Sequence, residues 1–273
     1  MAVPRRLRLD TELVRRGLAR SREHASELVA AGRVSVGGQP AGKPSTQVEA
    51  AAAIVVAEDS SDPNYASRGG HKLAGALDAF DARPDGGPVV AGRICLDAGA
   101  STGGFTDVLL RRGAAHVIAV DVGYGQLAWA LQTDERVTVL DRTNIRELDP
   151  DELPERPALV VADLSFISLA KVLPNLAGLP TPEADLVLMV KPQFEIGKER
   201  LTTGGVVRDP ALRALAVRLV AEAGWSLGLG IRGVTASPLP GPAGNVEYFL
   251  WMTAGAPSLD EGDLAAAIEA GPA

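Results

Sequence analysis

The segment Ile94-Cys-Leu-Asp97-Ala-Gly99-Ala-Ser101-Thr102-Gly103-Gly104-Phe105 constrains this chain more than any other. An apolar run enters a glycine-rich turn, and Thr106-Asp-Val-Leu-Leu110 continues as a helix with an apolar face. A buried strand feeding such a turn presents backbone N–H groups at a helix start, where glycine lets a ligand come close to the main chain. Short apolar runs then recur at 116–121, 137–140, 158–163 and 185–190, separated by helical patterns. That alternation predicts an α/β fold, a parallel sheet with helices on both faces.

The turn leaves two cofactor classes open. A dinucleotide site has glycines two positions apart, Gly-x-Gly-x-x-Gly. Here position 101 is Ser and the glycines recur at 103 and 104, a wider turn that suits a nucleoside carrying a zwitterionic amino acid. Asp121 ends the next strand, where an acid hydrogen-bonds ribose hydroxyls. Asp97, Gly99, Ser101, Thr102, Gly103, Gly104, Phe105 and Asp121 are therefore candidate cofactor contacts. Asp141 and Asn144, after the third strand, suit an adenine edge or simply cap the following helix.

The chain of 273 residues exceeds a usual single domain, and 46% hydrophobic residues supply ample core. Net charge is minus 7, but residues 1–43 carry nine Arg and Lys against four acids, plus 5, which leaves minus 12 elsewhere. Such asymmetry predicts a basic module that engages a polyanion, joined to an acidic body with another task. The single cysteine, Cys95, lies in an apolar run and acts as a small buried hydrophobe. No apolar run approaches the roughly 20 residues that span a bilayer, and no signal peptide is apparent, so a cytoplasmic protein is expected. No metal is called for.

Within the basic module, Leu9 and Leu13 mark a helix that Gly17 ends, and Ser21 caps a second helix closed by Gly32. Val34-Ser-Val36, the turn Gly37-Gly38 and the return from Gln39 read as a hairpin, with a further strand at 53–57. Arg20, Arg22 and Lys43 flank the helix start and the hairpin and can grip phosphates together; Arg6 and Arg8 are further candidates. No aromatic residue occurs among the first 43, which favours recognition of folded RNA by shape over stacking on single strands. The order Arg8-Leu-Asp10, Leu13, Ala19-Arg-Ser-Arg22, Ala25, Leu28, Gly32-Arg-Val-Ser-Val-Gly-Gly38 resembles the RNA-binding fold of ribosomal protein S4 over residues 6–57.

Residues 58–66 read as a linker, 67–253 as the second domain and 254–273 as an acidic, alanine-rich tail with one frayed helix at most. Lys72 stands near the start of a helix whose apolar face is Leu73, Ala76, Leu77 and Phe80. The helix dipole disfavours a cation there, so the lysine is either an ordinary surface residue or recruited by something else. Asp163 and Lys191 end two strands and should share the crevice of the glycine turn, and Glu247 begins a late strand. A lysine able to act as base or cation beside carboxylates suits methyl transfer to an alcohol oxygen. Arg68, Lys198 and Arg200 are candidate RNA contacts, the last two in a loop between Gln193 and Pro210 expected to close over RNA.

Lys72, Asp163, Lys191 and Glu247 together resemble the catalytic Lys-Asp-Lys-Glu tetrad of the FtsJ-like RNA ribose 2′-O-methyltransferases, over residues 64–253. With the S4-like module, Asp121-Val-Gly-Tyr-Gly-Gln126, Asp163-Leu-Ser-Phe-Ile-Ser168 and Lys191-Pro-Gln-Phe-Glu195, the chain is similar to the TlyA-type enzymes. The resemblance implies a Rossmann-like class I methyltransferase sheet preceded by a small α+β RNA-binding domain, S-adenosylmethionine as cofactor, and methylation of cytidine 2′-hydroxyls in ribosomal RNA within ribosomal subunits. It also implies sensitivity to capreomycin-class antibiotics as a consequence of the modification. A monomer is expected, and an inert, RNA-binding assembly factor is the competing reading. Members often carry a haemolysin label, for which this sequence offers no spanning or long basic amphipathic segment.

Overall fold

A computed structural model describes residues 6–19, 21–57, 63–197, 200–201 and 204–272, with Glu23 described by its backbone alone. The chain divides into two compact units, residues 1–64 and 65–273.

In the first unit, α1 (Leu9–Arg15) and α2 (Arg22–Ala30) pack over short strands. Ser21 caps α2 by accepting the His24 N–H at 3.1 Å. β2 (Val34–Val36) turns into β3 (Gln39–Pro40) through Gly37 and Gly38, both at positive φ, 58° and 81°, as a tight two-residue turn requires. β5 (Ile54–Val56) pairs with the other edge of β2. One pair escapes the sequence reading: β1 (Arg6–Arg8) lies antiparallel to β4 (Gln47–Glu49). Each is three residues long with a single apolar side chain, too short to show a period. Leu9, Leu13, Ala25, Leu28, Val34 and Val48 form the core.

The second unit opens with α3 (Arg68–Asp81) and then builds one seven-stranded sheet. β6 (Ile94–Ala98), β7 (His116–Val120), β8 (Val137–Leu140), β9 (Leu159–Ala162) and β10 (Asp185–Val190) are parallel, with the single turn α5 (Trp129–Gln132) between β7 and β8. β11 (Leu229–Ala236) and β12 (Tyr248–Ala254) complete it antiparallel, in the order β11-β12-β10-β9-β6-β7-β8. Counted from β6 within the unit, this is 3-2-1-4-5-7-6, and the order reverses between β6 and β9. α3 and α4 (Gly104–Arg111) cover one face, where Leu73, Leu77, Phe80, Val108 and Leu109 meet Cys95, Val161 and Met189. α6 (Leu169–Gly178) and α8 (Pro210–Ser226) cover the other, with Val172, Leu173, Val217 and Val220 against Leu96, Val160 and Leu188. Helices on both faces of a mainly parallel sheet are the architecture expected. Cys95 is buried in the first of these layers, and burial pushes its thiol up to about 12.

The start of this unit differs from expectation, and its tail is more firmly held than a frayed helix. Tyr65 and Ala66, expected in the linker, belong to it: the Tyr65 ring lies edge-on to His71 at 5.1 Å and under Arg111 at 5.0 Å, and the Ala66 N–H donates to Asp107 Oδ2 at 2.8 Å. The tail forms α9 (Glu261–Glu269), which buries Leu264 and Ala267 and is pinned by Arg83–Asp263 at 3.0 Å and Arg218–Glu261 at 2.6 Å.

Candidate active site

Sheet register assembles the site. Val190 is level with Tyr248 across the antiparallel β10–β12 ladder, so the next residues, Lys191 and Glu247, face each other at the strand ends. On the other side of β10, β9 delivers Asp163, whose N–H donates to the Ala98 carbonyl of β6 at 3.0 Å. The glycine turn after β6 and the charged residues after β9 and β10 thus share the crevice at the reversal of strand order, where open α/β sheets bind ligands.

The four charges form two ion pairs. Lys72 Nζ donates to Glu247 Oε2 at 2.6 Å, with both side chains buried. Lys72 is 6% exposed, which disposes of the surface-lysine reading. Lys191 Nζ lies 2.6 Å from Asp163 Oδ1, off the hydrogen-bond direction, and donates to Ser165 Oγ at 2.8 Å. The loop 238–244 braces the first pair: Arg68 donates to the Pro240 carbonyl at 3.1 Å, and a Cβ at Gly241 would lie 2.7 Å from Glu247 Oε1.

Beside them a cleft of about 480 Å³ is lined by Gly99, Ser101, Asp121, Asn144, Asp163 and Phe166 among others, inside the roughly 300–1,000 Å³ usual for small-molecule sites. Asp97 is fully buried; its Oδ2 accepts from Thr106 Oγ1 at 2.7 Å and its Oδ1 has no hydrogen-bond partner among the described residues. Burial, with Asp163 and Asp121 nearby, raises its carboxyl to about 7 against the Thr106 hydrogen bond. Asp121 accepts from the N–H groups of Ser101 at 2.8 Å and Gly123 at 2.7 Å, which fixes it at the cleft wall. A Cβ at Gly99, where φ is +84°, would lie 2.5 Å from the Asp163 carbonyl oxygen. These features fit S-adenosylmethionine: an orphaned buried carboxylate oxygen for its ammonium, an oriented acid for its ribose and a turn only glycine can make.

Other expected cofactor residues stand elsewhere. Thr102, Gly103, Gly104 and Phe105 shape the turn from behind: Thr102 accepts the Ala128 N–H at 3.2 Å, Gly103 adopts φ 94°, Gly104 packs on Ser67 and Gly70, and Phe105 is in the core 6.0 Å from Phe249. Asp141 accepts the Gly125 N–H at 2.8 Å and holds the 121–125 loop instead of the cleft wall. Asn144 does line the cleft, with its amide bonded to Glu147 at 2.8 Å. The sequence reading missed Val122, Gln126, Thr143 and Ile167 as walls. One usable signal is backbone strain: Ser101, Arg142 and Phe166 take positive φ of 48°, 54° and 65° around this edge. Exposed rings gather there too, Phe166 at 93% exposure against Phe194, and Tyr124 beneath the Arg142 guanidinium at 4.2 Å.

The basic candidates are dispersed. Arg6 pairs with Glu49 at 3.2 Å, whereas Arg8 and Arg22 both pair with Asp10, at 2.7 and 3.2 Å. Lys43 is exposed on the turn whose Pro44 carbonyl accepts the Asp10 N–H. Arg20 and Lys198 lie outside the described residues; Arg200 is exposed. The loop expected from Gln193 begins instead as a helical turn, α7 (Pro192–Glu195), and Glu195 caps α6 by accepting from Ser168 Oγ and the Leu169 N–H, both at 2.7 Å. Its second half is anchored: buried Asn245 donates to the Gly205 carbonyl at 3.0 Å and accepts the Val207 N–H at 2.8 Å.

Among the described residues no helix is long and apolar enough to cross a membrane. The FtsJ-like methyltransferase family model matches residues 65–254 and the S4 domain model residues 7–54. The chain is 60% identical over 248 residues, 91% of its length and 90% of the relative's, to the 16S/23S rRNA (cytidine-2′-O)-methyltransferase TlyA of Mycobacterium tuberculosis. It is 35% identical to Hemolysin A of Brachyspira hyodysenteriae, over 89% of this chain and 98% of that one. A solved Streptococcus thermophilus structure that carries a hemolysin name superposes with a TM-score of 0.75 at 34% identity, covering 98% of this chain and 97% of that one. The chain belongs to the FtsJ-like methyltransferases, in their TlyA-type form with an S4 domain ahead of the catalytic domain.

Proposed function

We propose that this protein transfers the methyl group of S-adenosylmethionine to cytidine 2′-hydroxyls of ribosomal RNA, with residues 1–57 docking the RNA and 67–253 performing the chemistry. The observation that carries the reading is the pair of lysine–carboxylate contacts, Lys72–Glu247 and Lys191–Asp163, at adjoining strand ends beside the Asp97–Gly99 cleft. All four side chains come from one chain, which suits a monomer, and a ribosomal substrate implies a cytoplasmic enzyme.

S-adenosylmethionine supplies an electrophilic methyl group on a sulfonium. Asp97 Oδ1, Asp121 and the 99–101 turn are the groups that would hold it. A ribose hydroxyl is a weak acid, so its proton must be removed as the oxygen attacks. Lys191 Nζ is the group placed to take the proton of the 2′-hydroxyl, and Asp163 Oδ1, 2.6 Å away, balances the ammonium that results. Ser165 fixes the amine's position, and the Lys72 ammonium, set by Glu247, meets the negative charge developing on oxygen. Holding the hydroxyl in line contributes several kcal/mol more. The exposed rings of Tyr124 and Phe166 offer stacking surface for bases around the target nucleotide.

The test is incubation of the protein with ribosomal subunits and methyl-labelled donor, followed by mapping of the label. Label at cytidine ribose that disappears with Lys191→Ala supports the reading. Unlabelled RNA, or a Lys191→Ala variant that replaces the wild type in cells, would leave only an RNA-binding assembly factor.

A further inference from the structure

Asp10 is out of place in a module whose business is a polyanion. It is 3% exposed, on the first turn of α1, and it accepts from the Thr11 N–H at 2.7 Å. Arg8 meets it side-on, through Nε at 3.1 Å and Nη2 at 2.7 Å, which leaves the Nη1 donors of that guanidinium unused by Asp10. Arg22, from the start of α2, reaches the same Oδ2 through Nη2 at 3.2 Å. The two guanidinium groups hold the carboxyl well below the usual range, so it is charged at any physiological pH. Both arginine side chains remain substantially exposed, 44% and 62%.

A second buried acid on the same helix does something different. Glu12 binds Arg15 at 2.6 Å and Arg16 at 2.7 Å, but Arg16 also donates to the carbonyls of Ala52 and Ala50 at 2.8 and 2.9 Å. That cluster ties α1 to the turn before β5. The Asp10 cluster makes no such use of its arginines among the described residues. It fixes two long cations from different elements, the end of β1 and the start of α2, at one point, beside the turn that carries Lys43.

We propose that Asp10 is a positioning residue for RNA, holding Arg8 and Arg22 as one preorganised clamp for backbone phosphate. The proposal rests on reading the S4 domain as the RNA-docking unit. An unrestrained arginine loses rotamer entropy when it binds a phosphate, and a carboxylate that already orders two of them removes most of that cost. The remaining cluster charge is plus 1, and the donors Asp10 does not use match phosphate oxygens. Its consequence runs against simple charge counting: deleting this negative charge should weaken binding to a polyanion.

The experiment is binding of the full-length protein to purified ribosomal subunits at several salt concentrations. Asp10→Asn is expected to weaken binding about tenfold and to lower the slope of log affinity against log salt by about 1. It should add little to an Arg8→Ala/Arg22→Ala background. Unchanged or tighter binding by Asp10→Asn, or losses that add in full, overturn the proposal. Should Asp10→Asn fail to fold, Arg22→Lys decides: it keeps the charge at an exposed position and loses the fork, so several-fold weaker binding supports the clamp and wild-type affinity refutes it. Glu12→Gln is the control, expected to lower the melting temperature while leaving the salt slope in place. Wild-type protein that does not bind ribosomal subunits at all would overturn the RNA-docking reading itself.

Discussion

Lys72 Nζ and Glu247 Oε2 lie 2.6 Å apart although 175 residues separate them in sequence. Both are buried, so each depends on the other for charge compensation. Breaking a buried pair costs about 3–5 kcal/mol, whereas replacing both partners with apolar groups is often neutral. Glu247→Gln should therefore lower both denaturant stability and methyl transfer, the latter by at least about 100-fold. The double variant Lys72→Met/Glu247→Leu should regain most of the stability and none of the activity. Urea titration beside a labelled-donor assay separates the two effects.

Lys191→Arg keeps a cation next to Asp163 but provides no base, because a guanidinium stays protonated in proteins. A loss of about 100-fold or more in turnover is expected, with donor affinity within a few-fold of wild type. Turnover within tenfold of wild type would mean that positive charge alone suffices at this position.

The Asp97 carboxyl, raised to about 7, is protonated in the folded state over a range where the unfolded chain has lost its proton. Between about pH 4 and pH 7 the native state binds more protons, so this group's contribution makes stability fall as pH rises and level off above 7. Asp97→Asn should flatten that part of the stability profile and melt no lower than wild type at pH 8. The same variant should bind adenosylhomocysteine at least tenfold more weakly, and wild-type affinity should rise with pH through 7. Calorimetry in buffers of different ionisation enthalpy reads the proton release directly; a pH-independent affinity contradicts the assignment.

Gly99 and Gly113 share nearly the same positive φ, +84° and +83°, but differ in their surroundings. A methyl at Gly99 meets the Asp163 carbonyl at 2.5 Å, whereas at Gly113 nothing lies closer than 3.6 Å. Alanine at either site carries the cost of a positive φ. Only Gly99→Ala should also displace Asp163, and so lose donor binding and methyl transfer together. Melting curves and donor affinity for the two variants test this; equal effects on donor affinity would show that Gly99 matters only for its own torsion.

The strand ends were legible because each apolar run stops at a charged residue, and in a parallel sheet those stops fall on one edge. Asp163 and Lys191 followed from that rule alone. The burial of Lys72 did not, since its helical position argues for solvent and its partner arrives 175 residues later. Nor did the cleft walls: Val122 and Phe166 resemble any exposed loop residue until the strained φ at 166 is seen. Asp141 stayed open between two duties, because the acid that follows a strand can meet a ligand or hold a turn, and here it secures the Gly125 N–H. A helix at α9 was legible but its docking was not, as an acidic, alanine-rich stretch shows little contrast between its faces.

The order of the sheet also sets a timetable. β11 precedes β12 in the chain, yet among the described residues its only partner in the sheet is β12, which slots between it and β10. During synthesis β11 has no ladder to join until the strand behind it emerges, and Glu247 arrives with that strand. The charged quartet is thus completed by the final strand to be laid down, and with the proposed roles a nascent or truncated chain owns the donor turn before it owns the groups that act on the hydroxyl.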